Sequence, residues 1–241
     1  TEEHSQTLDF RTGTLRRNTL WTSPTGRTVR IKSERLVSFT KRTIAAIHYE
    51  VEPIGEDMKL VLQSDLLANE PIPIPGNDPR LAAALESPLV SDLATCRNYW
   101  GILVHHTKQS GLHMAAGMDH QIDFPGAADS FIRADDDLAR LTIAANVPQG
   151  TTLKMTKYIG YGWSARRSVP ALRAQVDAAL AMAMETGWES LKAMQIAYME
   201  DFWRDADIEL DGDAEVQQAV RFALFHVLQA GARGQSRAIP A

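Results

Sequence analysis

The chain has 241 residues, of which 44% are hydrophobic, and its formal net charge is −5. That length and apolar content suit one large domain, or one domain with an extension. The mild acidity, with basic residues grouped only in pairs, argues against a nucleic-acid partner, and the absence of a run of about 18 apolar residues argues against a membrane span.

Cys96 is the only cysteine, so an internal disulfide is excluded. A lone cysteine fits a reducing compartment, and we expect a cytoplasmic location. The N-terminal residues have no secretory-signal pattern. Because the chain does not begin with Met, we expect it to be a piece of a longer protein.

Residues 13–163 read as β structure. Turn chemistry at Pro24-Thr25-Gly26 separates two strand-like runs over residues 13–22 and 27–39. Further strands are predicted over residues 44–54, 59–66, 98–108, 112–122, 138–147 and 151–162. Residues 69–80 are rich in Pro, Asn and Asp and predict a loop, with a short helix over 80–86. Many short strands with turns between them predict an antiparallel β-sandwich.

Alternation within three of these strands predicts which side chains are buried. In the strand over 27–39 the residues expected to share a buried face are Val29, Ile31, Val37 and Phe39. In the strand over 44–54 we expect a dry face with Ile47, Tyr49 and Val51, and a wet face with His48, Glu50 and Glu52. In the strand over 138–147 the expected core residues are Leu141, Ile143, Ala145 and Val147.

The hydrophobic period changes to that of a helix after Trp163. Ser168 as N-cap and Pro170 in the first turn predict a helix over residues 169–186, which Gly187 ends. A second helix is predicted over 188–203. A third is predicted over 214–230, with Asp213 as its N-cap.

The third helix is apolar around most of its circumference. Its main stripe is Val216, Val220, Leu224 and Val227, and Phe222, Phe225 and Leu228 widen it. A helix of this kind belongs in a large interior. Leaving seven such side chains exposed would forfeit roughly 10–20 kcal/mol. We expect the sandwich or a further segment to cover this helix, and its uncovered part to drive self-association.

Four histidines invite a metal hypothesis. His105, His106, His113 and His120 lie on two strands predicted to be neighbours, and a hairpin would bring His105 or His106 near His113. Zinc requires three or four converging ligands. His105 and His106 point to opposite faces of one strand, and the spacing matches no metal motif. We therefore assign no metal site and no cofactor.

The other candidate patterns also have structural interpretations. The Asp135-Asp136-Asp137 run lacks the glycine and closing Glu of a calcium loop and is interpreted as a turn. Gly160-Tyr161-Gly162 lacks the Lys-Ser/Thr sequel of a phosphate loop, and Cys96 has no assignable base. Four tryptophans are able to stack on a sugar but more often pack in a core: Trp100, Trp163, Trp188 and Trp203. Residue chemistry thus identifies no catalytic residue and leaves substrate-binding residues unassigned.

The C-terminal third nevertheless resembles a known family. The resemblance is carried by Phe202-Trp203, Asp207-Ile208-Glu209-Leu210-Asp211-Gly212-Asp213, Gln217-Gln218-Ala219-Val220-Arg221-Phe222, Phe225 and Ile239-Pro240-Ala241. These residues resemble the domain junction of glycoside hydrolase family 65, which includes maltose, trehalose and kojibiose phosphorylases and related hydrolases. Leu8-Asp9-Phe10-Arg11, Gly13, Leu15 and Tyr158–Tyr161 are also similar to this family. Gln195 and Met199 stand where the family often has His and Trp, so the subfamily is left open.

The resemblance implies a mainly β fold with C-terminal helices. Residues 1–165 are expected to form an N-terminally incomplete β-sandwich of the galactose-mutarotase-like supersandwich type. Residues 166–210 are expected to form a helical linker, and residues 211–241 the truncated start of an (α/α)6 catalytic barrel.

The resemblance also implies an enzyme that inverts at an α-glucosidic bond of a disaccharide such as trehalose, maltose or kojibiose. A carboxylic acid protonates the leaving oxygen while phosphate or water attacks from the opposite face. The family's acid and phosphate-binding residues lie beyond this chain, so no catalytic residue is carried over and the chain alone is expected to be inactive. Inorganic phosphate is the expected co-substrate of a phosphorylase.

The expected partners are the disaccharide, bound through the barrel, and the rest of the same polypeptide. The latter is expected to pack on Val216, Val220, Phe222, Leu224 and Phe225, and a homodimer is left open. The alternative interpretation is a non-catalytic carbohydrate-binding β-sandwich. The apolar third helix discriminates between the two, because a freestanding binding module has no use for it.

Overall fold

A computed structural model describes residues 3–70 and 87–231 of the chain. The strands are β1 (Glu3–Asp9), β2 (Thr14–Thr22), β3 (Thr28–Val37), β4 (Ile44–Ile54), β5 (Met58–Leu67), β6 (Leu89–Arg97), β7 (Trp100–Thr107), β8 (His113–Asp123), β9 (Ala128–Asp135), β10 (Leu138–Val147) and β11 (Leu153–Ser164). The helices are α1 (Val169–Thr186), α2 (Trp188–Ala206) and α3 (Ala214–Gly231). Most of the loop predicted over 69–80, the short helix predicted over 80–86, and Ile239-Pro240-Ala241 lie outside the described residues.

The strands form two antiparallel sheets. The larger has eight strands in the order β1-β2-β3-β4-β11-β8-β7-β6, and the smaller has three in the order β5-β10-β9. Helix α1 contacts β11 and β8 of the larger sheet. The predicted mainly β, antiparallel fold with C-terminal helices is therefore confirmed, and within the described residues no strand follows Ser164.

Three strands were not predicted as strands. These are β1, β6 and β9, and each lies at the edge of its sheet. Edge strands bury little: β1 and β9 are exposed over most of their length. With few buried positions, their sequences carry no clear alternation of apolar and polar residues.

The two ends of strand β3 in the large sheet bury side chains on opposite faces of the sheet. At one end Val29 and Val51 pack with Met58 and Ala145 of the small sheet. Elsewhere Leu36, Ile44 and Ala46 belong to a core with Leu172, Val176 and Leu180 of α1. A strand that runs from one core to the other changes its buried face along its length.

This change of face explains one wrong prediction. Val37 was expected to be buried with Val29, but it is 51% exposed while its neighbour Leu36 is 3% exposed. The small sheet covers one end of β3 and helix α1 covers the other end from the opposite side. The alternation of residues along the strand therefore predicts the wrong environment for Val37. The core residues predicted for β10 are confirmed, since each is at most 4% exposed.

Helix α1 lies close to the large sheet because glycines face it. A Cβ atom at Gly117 of β8 would lie 2.8 Å from Leu180 Cδ1, and one at Gly160 of β11 would lie 3.0 Å from Leu180 Cγ. Gly162 faces Leu172 and Val176 in the same way. The Gly160-Tyr161-Gly162 pattern therefore serves helix packing.

The predicted starts of the three helices and the predicted end of α1 are confirmed, whereas α2 continues to Ala206 and α3 to Gly231, beyond their predicted ends at residues 203 and 230. Ser168 Oγ accepts a hydrogen bond from the Ala171 N–H at 3.4 Å, and Gly187 ends α1 with a φ of +75°. Asp213 Oδ1 accepts from the Glu215 N–H at 2.8 Å, as an N-cap does. No helix in the part of the chain that the structure describes is long and apolar enough to cross a bilayer.

Two side chains fasten α2 to the ends of β strands. Gln195 is fully buried, and its Oε1 accepts a hydrogen bond from the Phe39 N–H at 3.0 Å. Trp203 Nε1 donates to the Phe10 carbonyl at 2.7 Å. Met199, also fully buried, packs with Phe39 and Phe225. The two departures from the family pattern, Gln195 and Met199, are thus core residues of this junction.

Candidate functional site

The four histidines considered for metal binding occupy three separate environments. His120 lies between the two sheets and His105 lies beside the β9–β10 turn. His106 and His113 face each other across the β7–β8 hairpin. The predicted hairpin allowed either His105 or His106 to lie near His113, and the structure pairs His106 with it.

His120 links the two sheets. Its Nδ1 lies 2.7 Å from the Tyr99 carbonyl oxygen, which only accepts, so Nδ1 carries the proton. Nε2 is then the acceptor for the Ser64 hydroxyl of β5, at 2.8 Å. Burial lowers the pKa of His120 to about 4, so the ring is neutral at pH 7. The pair has the spacing of a nucleophile and its base, but Ser64 is 6% and His120 2% exposed, so it holds the sheets together instead.

A buried lysine, Lys157, also joins the two sheets. Lys157 Nζ donates to the Asp65 carbonyl at 2.5 Å, and burial lowers the pKa of Lys157 to about 8. The Asp65 carboxylate instead receives Arg140 at 2.7 and 2.6 Å, which holds the pKa of Asp65 below its usual value. The Lys157 ammonium therefore stays charged at pH 7, and its hydrogen bond joins β11 to β5.

The aspartate run forms a turn, as predicted. Asp135 ends β9 and Leu138 begins β10. The Asp137 carboxylate lies 2.9 Å from His105 Nε2 and accepts from the Asn69 side-chain amide at 2.9 Å. Asp137 therefore satisfies a buried imidazole, which is a structural role.

Asp92 completes a cluster with the remaining two histidines. His106 Nδ1 lies 2.8 Å from Asp92 Oδ1, and His113 Nε2 lies 3.8 Å from Asp92 Oδ2. Sequence reasoning missed Asp92, which lies on the unpredicted strand β6. His105 and His106 do point to opposite faces, as expected, so His105 takes no part in this cluster.

The tryptophans considered for sugar stacking differ in their surroundings. Trp100 lies under the guanidinium groups of Arg97 and Arg173, at 5.5 and 5.6 Å. Trp188 stacks on His48 at 5.5 Å, and Trp203 is held by Phe10. Trp163 is 40% exposed. It lies two residues from Tyr161, which is 42% exposed, so both point to one face of β11.

The residues that carry the family resemblance clamp the connection between α2 and α3. Arg221 makes a bidentate pair with Asp207, at 2.8 and 2.7 Å, which keeps the pKa of Asp207 below its usual value. Gln217 donates to the Ile208 carbonyl and accepts from the Leu210 N–H, each at 2.8 Å. An open groove of about 840 Å³ runs beside this clamp, lined in part by Arg11 and Trp203.

Helix α3 exposes part of its apolar face. Phe225 is 1% exposed and packs on Phe10, with ring centroids 5.5 Å apart. By contrast Val216, Phe222 and Val227 are 47%, 46% and 64% exposed. The fold therefore buries Phe225, leaves Val220, Leu224 and Leu228 half-buried, and leaves three large apolar side chains of α3 exposed. This confirms the expectation that the apolar surface of α3 exceeds what the sandwich covers.

Comparisons with known proteins agree with this arrangement. The sequence profile described as glycosyl hydrolase family 65, N-terminal domain, matches residues 1–202. An uncharacterized glycosyl hydrolase of Mycobacterium tuberculosis is 46% identical over 237 residues, which are 98% of this chain and 30% of that protein. An alpha,alpha-trehalose phosphorylase of Thermoanaerobacter brockii is 25% identical over 231 residues, covering 95% of this chain and 30% of that protein.

A solved structure shows the same fold. It is a putative kojibiose phosphorylase from the human microbiome, which superposes with a TM-score of 0.81 over 95% of this chain and 28% of that chain. Its sequence is 18% identical, so the likeness concerns the fold. The chain spans about 30% of the length of the curated relatives that it matches.

Proposed function

Because this chain belongs to glycosyl hydrolase family 65, we propose that it is the N-terminal segment of an enzyme that cleaves α-glucosidic bonds of disaccharides. The substrate class comprises trehalose, maltose and kojibiose. A maltose phosphorylase of Bacillus subtilis, 23% identical over 240 residues, supports this class together with the trehalose phosphorylase.

The single observation that carries the proposal is the exposed face of α3. Hydrogen bonds from Arg221 and Gln217 hold α3 against the segment that precedes it, so α3 is an ordered part of the fold. Its exposed side chains include Phe222 and Val227. A helix that presents large apolar side chains to solvent is typical of an interface. We propose that the rest of the polypeptide packs on Val216, Val220, Phe222 and Leu224. Phe225, which was also expected in this contact, is already buried against Phe10.

The proposed chemistry is inversion by phosphorolysis or hydrolysis. A carboxylic acid protonates the leaving oxygen, and phosphate or water attacks the anomeric carbon from the opposite face. We assign neither group to this chain. The buried pair of Ser64 and His120 is closed off between the sheets. Asp65 and Asp207 are held in ion pairs with Arg140 and Arg221. Phosphate acts as co-substrate if the enzyme is a phosphorylase, and no cofactor is proposed.

The proposed location is the cytoplasm. The single, partly buried cysteine, Cys96, supports this part of the proposal, because a disulfide framework is not available to the chain.

The test compares this chain with the complete parent protein. Each is incubated with trehalose, maltose and kojibiose, with and without inorganic phosphate, and glucose and glucose 1-phosphate are measured. We expect turnover by the parent and none by the 241-residue chain. Phosphate-dependent release of glucose 1-phosphate assigns phosphorolysis, and phosphate-independent glucose release assigns hydrolysis. Turnover by the pure chain, or none by the parent on any α-linked disaccharide, contradicts the proposal.

The α3 interface has a test of its own. In the parent protein, Phe222→Asp is expected to abolish activity and lower the melting temperature, because the charge would enter an apolar contact. Gln218→Asp, at an exposed position of the same helix, is the matched control. Equal activity of the two variants shows that α3 stays in solvent.

A second candidate function rests on Tyr161 and Trp163. Their exposure on one face of β11 fits the non-catalytic carbohydrate-binding alternative, since aromatic rings stack on sugars. Titration of the chain with the three disaccharides separates the two functions. Binding that Trp163→Ala abolishes and Trp21→Ala preserves favours the binding module, whereas the enzyme-segment proposal expects no binding.

A further inference from the structure

We propose that Asp92, His106 and His113 form a binding site for a divalent transition-metal ion, with zinc as the expected occupant. Among the described residues these three side chains converge so that their ligand atoms all lie within 4.8 Å of one another. The site is independent of the catalytic role proposed above.

The backbone positions all three ligands. His106 near the end of β7 pairs directly with His113 at the start of β8, across the tight connection that Gly111 makes with a φ of +62°. Their ring centroids lie 5.8 Å apart with planes at 52°, so the rings are neither stacked nor parallel. Two imidazoles on opposite residues of one hairpin point to the same side of the sheet.

A β-bulge brings in the third ligand. The β6–β7 register shifts between the pair Ser91–His105 and the pair Leu93–Val104, and Asp92 is the extra residue. Bulges re-aim side chains. Here the bulge places one Asp92 oxygen 2.8 Å from His106 Nδ1 and the other 3.8 Å from His113 Nε2.

The donor set selects the class of metal. Two neutral imidazoles and one carboxylate suit zinc and its neighbours in the first transition row, whereas magnesium and calcium prefer sites made of oxygen alone. The Asp92 charge partly balances a divalent ion. The three side chains are 22–33% exposed, which leaves room for water to complete four-coordination.

A bound metal would join three neighbouring strands at one edge of the large sheet. β6 is one of the two edge strands of the large sheet, and the three ligands come from β6, β7 and β8. A metal that binds the folded arrangement and not the unfolded chain raises stability in proportion to its saturation. Four histidines alone predicted no metal site, and Asp92 of β6 supplies the third ligand that His106 and His113 lack.

The test uses the tag-free chain and Zn²⁺ as the probe. Isothermal titration is expected to give one Zn²⁺ per chain. His106→Ala, His113→Ala and Asp92→Asn should each weaken binding by at least about 10–100-fold, the loss that even outer-shell partners cause. His226→Ala, at an exposed position of α3, is the matched control and should bind as the wild type does. Far-UV circular dichroism without metal verifies that the variants fold.

Hydrogen exchange distinguishes a built site from loose surface binding. Saturating Zn²⁺ should increase amide protection in β6, β7 and β8, and Co²⁺ in its place should show the visible absorption of a four-coordinate ion. The proposal is overturned if the His106→Ala/His113→Ala double variant binds Zn²⁺ as tightly as the wild type, if the wild type binds none, or if exchange in these strands does not respond.

Discussion

The link between His120 and Ser64 predicts an acid-sensitive sandwich. The His120 ring is 2% exposed and bridges the sheets as a neutral donor and acceptor. Protonation would add a proton to Nε2, which now accepts from Ser64, and would leave a charge in a buried position near Lys157. Folding therefore has to keep this imidazole neutral.

The magnitude follows from the two protonation equilibria. Burial lowers the pKa of His120 from 6.5 to about 4. Between these values the unfolded chain binds more protons than the folded chain, so stability is complete above pH 6.5 and falls as the pH falls toward about 4. Linkage gives a loss of about 2 kcal/mol by about pH 5 and about 3 kcal/mol by about pH 4.

The assay is urea unfolding of the wild type and of His120→Gln at about pH 7.5 and pH 5. Gln keeps an amide donor and acceptor but does not titrate, so the wild type should lose about 2 kcal/mol more than the variant between these pH values. His226→Gln is the control for loss of an exposed imidazole. Equal pH dependence of wild type and His120→Gln would refute the reasoning, as would an NMR titration of His120 with a midpoint near 6.5.

Three further predictions concern packing. Gly160→Ala should destabilise the chain by about 1–3 kcal/mol in urea unfolding, because its Cβ would lie 3.0 Å from Leu180 Cγ. Gly231→Ala is the control, since its Cβ would have no atom within 4 Å. Equal losses of stability in the two variants would contradict the close approach of α1. Gln195→Leu should lower the free energy of unfolding by about 1–3 kcal/mol, because it removes the acceptor of the Phe39 N–H. Gln218→Leu, at an exposed position, should leave stability nearly unchanged. An unchanged stability of Gln195→Leu would show that this hydrogen bond is not needed. The isolated chain should self-associate in analytical ultracentrifugation, and Phe222→Asp with Val227→Asp should reduce this, while Gln229→Asp should not; a wild-type monomer would show that the exposed face of α3 is tolerated in water.

The sequence was sufficient for the elements whose signals are local. Ser168, Gly187 and Asp213 correctly predicted where the three helices begin and where α1 ends, because capping depends on residues adjacent in the chain. The core strand β10 followed from strict alternation, since one of its faces is buried along its whole length. The family resemblance came from the junction residues, and the structure shows that Asp207, Gln217 and Arg221 form its clamp.

What the sequence left open depends on contacts between distant segments. Val37 is exposed because the layers covering β3 lie on opposite sides at its two ends, and nothing local to β3 indicates where that change occurs. The edge strands β1, β6 and β9 pair on one side only, so they bury too little to impose a pattern. Asp92 reaches His106 and His113 because a bulge shifts the register between β6 and β7, and no pattern within β6 indicates where that shift occurs. Local chemistry thus determined the helices and the family, whereas pairing and layering in three dimensions decided which side chains meet.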